Sequence, residues 1–173
     1  MAQTTSSPEH TAYLGLGANL GDPAATLAAA REALAGLPQS RLLACSALYR
    51  TAPVGGPPGQ PDYLNAVVAL ATRLPPAALL EQCLALEERF GRLRSEPSGP
   101  RTLDIDLLLY DDLVLDSPEL VIPHPRLHLR RFVLEPLCDL APQLLLPGTG
   151  APLSRVLKEL KDPERVELIG TEW

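Results

Sequence analysis

Asp104 and Asp106 stand two residues apart in the stretch Gly99-Pro100-Arg101-Thr102-Leu103-Asp104-Ile105-Asp106. Residues two apart on an extended chain share a face. The two carboxylates therefore stand side by side, while Leu103 and Ile105 turn toward a core. Adjacent carboxylates repel each other unless a cation lies between them, and a hard divalent ion with oxygen ligands, such as Mg²⁺, suits this pair. A solvated strand face, or ion pairs to nearby arginines, would account for a bare Asp-x-Asp equally well. The flanks make this one more informative, because Arg92, Arg94 and Arg101 bracket the polar loop that leads into it. Guanidinium forks beside a metal-binding pair suit a polyphosphate. Taken alone, Arg92 and Arg94 are also explained by a helix C-terminus, where a cation gains about 0.3–1 kcal/mol.

Two further groups have chemical potential. His124 is held between prolines in Ile122-Pro123-His124-Pro125, with Arg126, Arg130 and Arg131 following. A histidine fixed in this way could donate to a phosphate, although a lone histidine is more often structural. Tyr63 and Asn65 alternate onto one face of an extended segment. An aromatic plane beside a carboxamide suits a flat heterocycle, one stacking and the other pairing with its edge. Phe132 could supply the opposite face. Gly15-Leu16-Gly17-Ala18-Asn19-Leu20-Gly21 has the spacing GxGxxxG with no parallel βαβ pattern after it, which does not fit a dinucleotide fingerprint. Its glycines instead allow a ligand or a helix to approach the backbone closely.

The elements that must position these groups come from a chain of 173 residues, 46% apolar and 21% charged. That length suits one domain able to bury about 70% of its unfolded surface. The net charge of −6 argues against a general nucleic-acid binder. Lysine occurs only at Lys158 and Lys161, so no GxxxxGK[ST] loop exists and upstream phosphate contacts must use arginine. Cys45, Cys83 and Cys138 are far apart and odd in number, which predicts reduced thiols in a reducing compartment. No signal-peptide pattern or membrane-length apolar run is present. A cytoplasmic protein without membrane or nucleic-acid partners is expected.

Residues 1–11 read as a disordered leader, 12–161 as a single domain and 162–173 as a tail. Within the tail, Val166-Glu167-Leu168-Ile169 could be an edge strand or a partner contact. Strands are expected over 13–17, 42–49, 63–72 and 101–110. Helices are expected over 24–37, with Asp22 and Pro23 as N-cap and first position, and from Pro75-Pro76 to about Phe90. Gly/Pro-rich loops occupy 52–61 and 92–100. Val114-Leu115 and Leu120-Val121-Ile122 suggest a small hairpin, and helices follow over about 130–140, despite Pro136, and 153–160. The order β-α-β-β-α-β predicts an α+β, ferredoxin-like fold: an antiparallel sheet with two helices on one face, followed by a C-terminal extension.

Taken together these stretches resemble the hydroxymethyldihydropterin pyrophosphokinase family. The matching segments are Leu16–Gly21, Tyr49–Pro53, Gln60–Ala66, Glu87–Arg94, Gly99–Asp106 and Ile122–Arg126, and Gly99–Tyr110 is the most specific. The resemblance implies transfer of pyrophosphate from ATP, the co-substrate, to the hydroxymethyl group of a reduced pterin in folate biosynthesis, with release of AMP. It implies that Asp104 and Asp106 bind two Mg²⁺ ions and that Arg92 and Arg101 clamp the triphosphate. It further implies that Glu87, Arg94, Leu107, His124 and Arg130 contact the nucleotide. Thr51, Ala52, Val54, Tyr63, Asn65 and Phe132 match the pterin site, with Tyr63 and Phe132 on opposite faces of the ring. A monomer is expected, and the two Gly/Pro loops are expected to close over the substrates.

The sequence departs from the family pattern in places. Ser98 stands where a Trp is usual, in a loop one residue shorter, and Pro125 stands where a Tyr is common. Glu119 and Val121 replace polar or basic residues found in some relatives. Two other classes suit parts of the pattern: a non-catalytic ferredoxin-like module for a small ligand, and another Mg-dependent nucleotidyl or glycosyl transferase with an Asp-x-Asp pair.

Overall fold

Alternation along the central strand sets the layers of the molecule. The computed structural model describes residues 7–91 and 102–173. In β1 (His10–Ala18), Ala12, Leu14, Leu16 and Ala18 enter one hydrophobic cluster, whereas Tyr13 packs against a second. β4 (Tyr63–Thr72) and β5 (Asp104–Tyr110) flank β1 and divide the same way. Ala66, Val68, Leu70, Ile105 and Leu107 join the first cluster; Val67, Leu108 and Leu109 join the second.

The first cluster lies beneath two helices. In α1 (Pro23–Ala35), Leu27, Ala30 and Leu34 are buried, and in α2 (Pro76–Arg89), Leu79, Cys83 and Leu86 are. Asp22 caps α1 as its type and position predict, its Oδ1 accepting the N–H of Ala25 at 3.1 Å. Pro23 at the first helical position costs no hydrogen bond, because that N–H has no intrahelical acceptor. The second cluster lies beneath the C-terminal extension, α3 (Arg131–Leu140) and α4 (Leu153–Glu159). α3 forms despite Pro136, which sits on its buried side.

With β2 (Ser40–Cys45), β3 (Leu48–Thr51) and β8 (Val166–Gly170), the sheet runs β5-β1-β4-β3-β8, with β2 also paired to β4, and every pairing is antiparallel. This is the ferredoxin-like order, with the two crossover helices on one face. The second strand is not continuous over 42–49 but divides into β2 and β3. Ser46 keeps the break attached to β4: its N–H donates to Val67 O, and its Oγ accepts the Val67 N–H, both at 2.8 Å. Ala47 N–H donates to Asp139 Oδ2 at 3.1 Å, and Trp173 Nε1 donates to Ser46 O at 2.9 Å. β8 pairs with β3 at the sheet edge. A short hairpin joins β6 (Leu115–Asp116) to β7 (Val121–Ile122). Cys45, Cys83 and Cys138 are free thiols. No helix among the described residues is long and apolar enough to cross a membrane.

Candidate active site

Asp104 and Asp106 lie on the sheet face opposite α1 and α2. Across the ladder, Gly17 is the partner of Asp104 on one side and of Asn65 on the other; Gly15 is likewise the partner of Asp106 and of Val67. The central strand therefore carries no side chain between the acidic row and the Asn65 row. Gly17 has no space to spare, since a Cβ there would lie 3.0 Å from Asn65 Oδ1, whereas one on Gly15 would make ordinary contact with Leu108 Cδ1 at 3.4 Å. The result is a flat backbone floor on which a planar ligand can lie.

A β-bulge shapes the far end of this floor. The register steps from Tyr13–Leu109 to Leu14–Leu107, which leaves Leu108 as the extra residue. Leu108 and Leu109 both enter the second cluster, while Leu107 stays with the first. The bulge thus sends two consecutive leucines of β5 into the second cluster and still keeps both aspartates facing the cleft.

Two clefts meet at the acids. The larger, about 510 Å³, is lined by Thr51, Ala52, Val54, Tyr63, Asn65 and Phe132. The three residues that the sequence groups as a heterocycle site, Tyr63, Asn65 and Phe132, thus share one cavity with Thr51, Ala52 and Val54, which the resemblance alone adds. Asn65 is buried and donates from Nδ2 to Thr51 Oγ1 at 2.8 Å, which orients its carboxamide. Arg130 also lines this cleft, its guanidinium 5.5 Å from the centre of the Phe132 ring. The smaller cleft, about 310 Å³, is lined by Leu80, Glu87, Leu107, Glu119, His124 and Pro125. Asp104 and Asp106 line both clefts.

Glu87 has a structural duty here. It is 2% exposed, and its Oε1 accepts the N–H of Ile105, the residue between the two aspartates, at 2.7 Å. The end of α2 is thereby tied to the start of β5, which presents the carboxylates. Arg92, Arg94 and Arg101 lie outside the described residues.

His124 accepts from the backbone N–H of Arg126 through Nδ1 at 3.2 Å. In the neutral ring the proton then sits on Nε2, the atom left to donate. Burial, then the charges of Arg130 and Arg126, hold its pKa below the ordinary 6.5, with Asp104 opposing. As pH falls, the unfolded chain takes up this proton before the folded one. Stability present above pH 6.5 is therefore lost on acidification toward the lower folded value. From pH 8 to pH 5 the wild type is expected to lose more Tm than His124→Gln; equal losses in differential scanning fluorimetry would contradict this.

The carboxylate pair fits Mg²⁺, which binds through one or two carboxylates and completes its shell with water and substrate phosphate oxygens. No group of three or more His, Cys, Asp or Glu that could hold a metal occurs among the described residues. The site also includes residues that sequence reasoning did not single out. Leu129 and the stretch Asp162–Glu164 line the larger cleft, beside Arg126, which the sequence marks only as a neighbour of His124. Local sequence gave no signal for Asp162–Glu164, because chain topology brings it there.

Comparison with known proteins agrees with this geometry. Residues 13–142 match the family model described as 7,8-dihydro-6-hydroxymethylpterin-pyrophosphokinase. Relatives named 2-amino-4-hydroxy-6-hydroxymethyldihydropteridine pyrophosphokinase include one from Methylorubrum extorquens, 46% identical over 91% of this chain and 98% of its own. Another, from Pseudomonas aeruginosa, is 47% identical over 78% of this chain and 83% of its own. The crystal structure of Plasmodium falciparum HPPK-DHPS with pteroate shares the fold at a TM-score of 0.69 and 15% identity. That match covers 88% of this chain and 42% of the longer one. The chain belongs to the 7,8-dihydro-6-hydroxymethylpterin-pyrophosphokinase family.

Proposed function

We propose that the protein transfers pyrophosphate from ATP to the hydroxymethyl group of 6-hydroxymethyl-7,8-dihydropterin in folate biosynthesis, releasing AMP. The observation that carries this reading is the placement of Asp104 and Asp106 at the junction of the two clefts. The larger cleft takes the pterin. Tyr63 and Phe132 stack on its ring, and Asn65, oriented by Thr51, pairs with its edge. The smaller cleft takes the nucleotide, with Glu87, Leu107 and His124 on its walls. Arg92, Arg94 and Arg101, which are named from the sequence pattern and the resemblance, clamp its phosphates together with Arg130.

The hydroxyl oxygen of the pterin forms a bond to the β-phosphorus as the bridging bond to the α-phosphate breaks. AMP leaves with the electron pair, and the hydroxyl proton passes to solvent. Asp104 and Asp106 would hold two Mg²⁺ ions, which when bound supply positive charge to the phosphate oxygens and orient the attacking hydroxyl. Arg130 adds a fixed positive charge beside the reacting groups, and the cleft walls hold the two substrates in line. No side chain is assigned as general base. The Gly/Pro-rich segment over 52–61, which includes Ala52 and Val54 of the cleft wall, would exclude water from the pterin side. The same reading takes the enzyme to be a cytoplasmic monomer.

The test is to incubate the protein with ATP, Mg²⁺ and 6-hydroxymethyl-7,8-dihydropterin and separate the products. AMP and a pterin diphosphate in equal amounts are expected. ADP with a pterin monophosphate, or no pterin product, contradicts the reading.

A further inference from the structure

Asp162, Pro163 and Glu164 form a strap between α4 and β8 along one wall of the larger cleft. One carboxylate fixes its shape. Asp162 Oδ2 accepts the N–H of Arg131 at 3.1 Å, capping α3 where Arg130, the N-cap residue, makes no side-chain cap. Asp162 Oδ1 accepts the N–H of Glu164 at 2.9 Å. Two residues later the chain enters β8, where Val166 pairs with Thr51 of the cleft. Glu164 is therefore held between the start of α3 and the sheet edge rather than on a free tail.

Its side chain is half-buried, and Oε1 is buried with no hydrogen-bond partner among the described residues. A carboxylate oxygen left without a donor costs stability, so its position calls for an explanation. Burial, then the neighbouring Asp162, push its pKa up, and Arg130 opposes them. Arg130 itself lies over the ring of Phe132. An acceptor short of a donor, on a wall shared with Tyr63, Asn65 and Phe132, suits a ligand that brings N–H groups. A phosphate would bring only further acceptors and further negative charge.

We propose that Glu164 is a specificity-determining residue for the heterocyclic substrate, its carboxylate accepting hydrogen bonds from N–H groups of the reduced pterin. This rests on the assignment of the larger cleft to the pterin. The experiment titrates 6-hydroxymethyl-7,8-dihydropterin into the full chain in the presence of Mg²⁺ and a non-hydrolysable ATP analogue, and separately titrates the analogue. It compares wild type, Glu164→Ala, Glu164→Gln and Tyr63→Ala. Glu164→Ala is expected to raise the pterin Kd about tenfold and to leave the analogue Kd within about twofold. Glu164→Gln fills the same volume and keeps one accepting oxygen, so it falls between. A pterin Kd within about twofold of wild type in Glu164→Ala, with Tyr63→Ala weakened, overturns the role of Glu164 and leaves the cleft assignment standing. Equal weakening of both ligands also overturns it, since that marks a structural effect. Unchanged pterin binding in Tyr63→Ala removes the cleft assignment, and the role of Glu164 with it.

Discussion

Asp106→Ala is expected to lower kcat/KM by about 10³-fold or more while the protein stays folded, and Asp104→Ala to do the same. The size of the loss follows from where the side chains stand. Both face the junction of the two clefts, so each can reach a nucleotide on one side and an acceptor hydroxyl on the other. The survival of the fold follows from what the substitution leaves in place. β5 is held to β1 by its backbone, and Ile105 and Leu107 remain in the core beneath α2. Same-face neighbours on a strand lie about 7 Å apart, so removing one carboxylate also relieves repulsion from the other. Circular dichroism melts should therefore show a Tm for each variant no lower than about 3 °C below wild type. A variant that keeps wild-type turnover would remove the acid pair from the mechanism.

Arg130→Ala is the second large effect: kcat is expected to fall by about 10²–10³-fold, as when one charge-stabilising donor is lost from a reaction centre. Arg130 is half-buried on the wall of the larger cleft. Burial and the charge of Arg126 lower its pKa, and Asp106 and Asp104 act against that. It thus stands within electrostatic reach of both acids while its guanidinium lies over Phe132. Losing it weakens pterin stacking only modestly, because Tyr63 and Phe132 remain. The kcat effect should then exceed the effect on pterin Kd by at least about tenfold in steady-state kinetics and titration. Arg130→Lys keeps a charge but not the planar fork and should recover only part of the rate. Equal losses in kcat and pterin affinity would reassign Arg130 to ring binding alone.

Much of this geometry is legible from local pattern. Alternation places Asp104 with Asp106, and Tyr63 with Asn65, because side-chain direction on a strand depends only on parity. The capped start of α1 is equally local, set by Asp22 and Pro23. What parity and propensity miss depends on distant partners. The apolar run Leu42–Tyr49 reads as one strand, yet it breaks at Ser46-Ala47, and Asp139 and Trp173 satisfy the freed backbone groups from far along the chain. Leu107-Leu108-Leu109 signals burial on both faces but not the bulge that sends two consecutive leucines to the same side. The open spacing of Gly15 and Gly17 hints at close approach. Only the pairing register shows that they separate the acids from Asn65. Asp162–Glu164 carries no local signal at all, since the strap reaches the cleft through the docking of α3 and the pairing of β8.

The most direct measurement is calorimetric titration of a non-hydrolysable ATP analogue into the wild type and into Asp104→Asn and Asp106→Asn, each with Mg²⁺ and with a chelator. Tight binding by the wild type only when Mg²⁺ is present, and loss of that metal dependence in both variants, is the result expected if the paired acids hold the metal between the clefts. Nucleotide binding of the same strength with and without Mg²⁺, unchanged by either substitution, would contradict it.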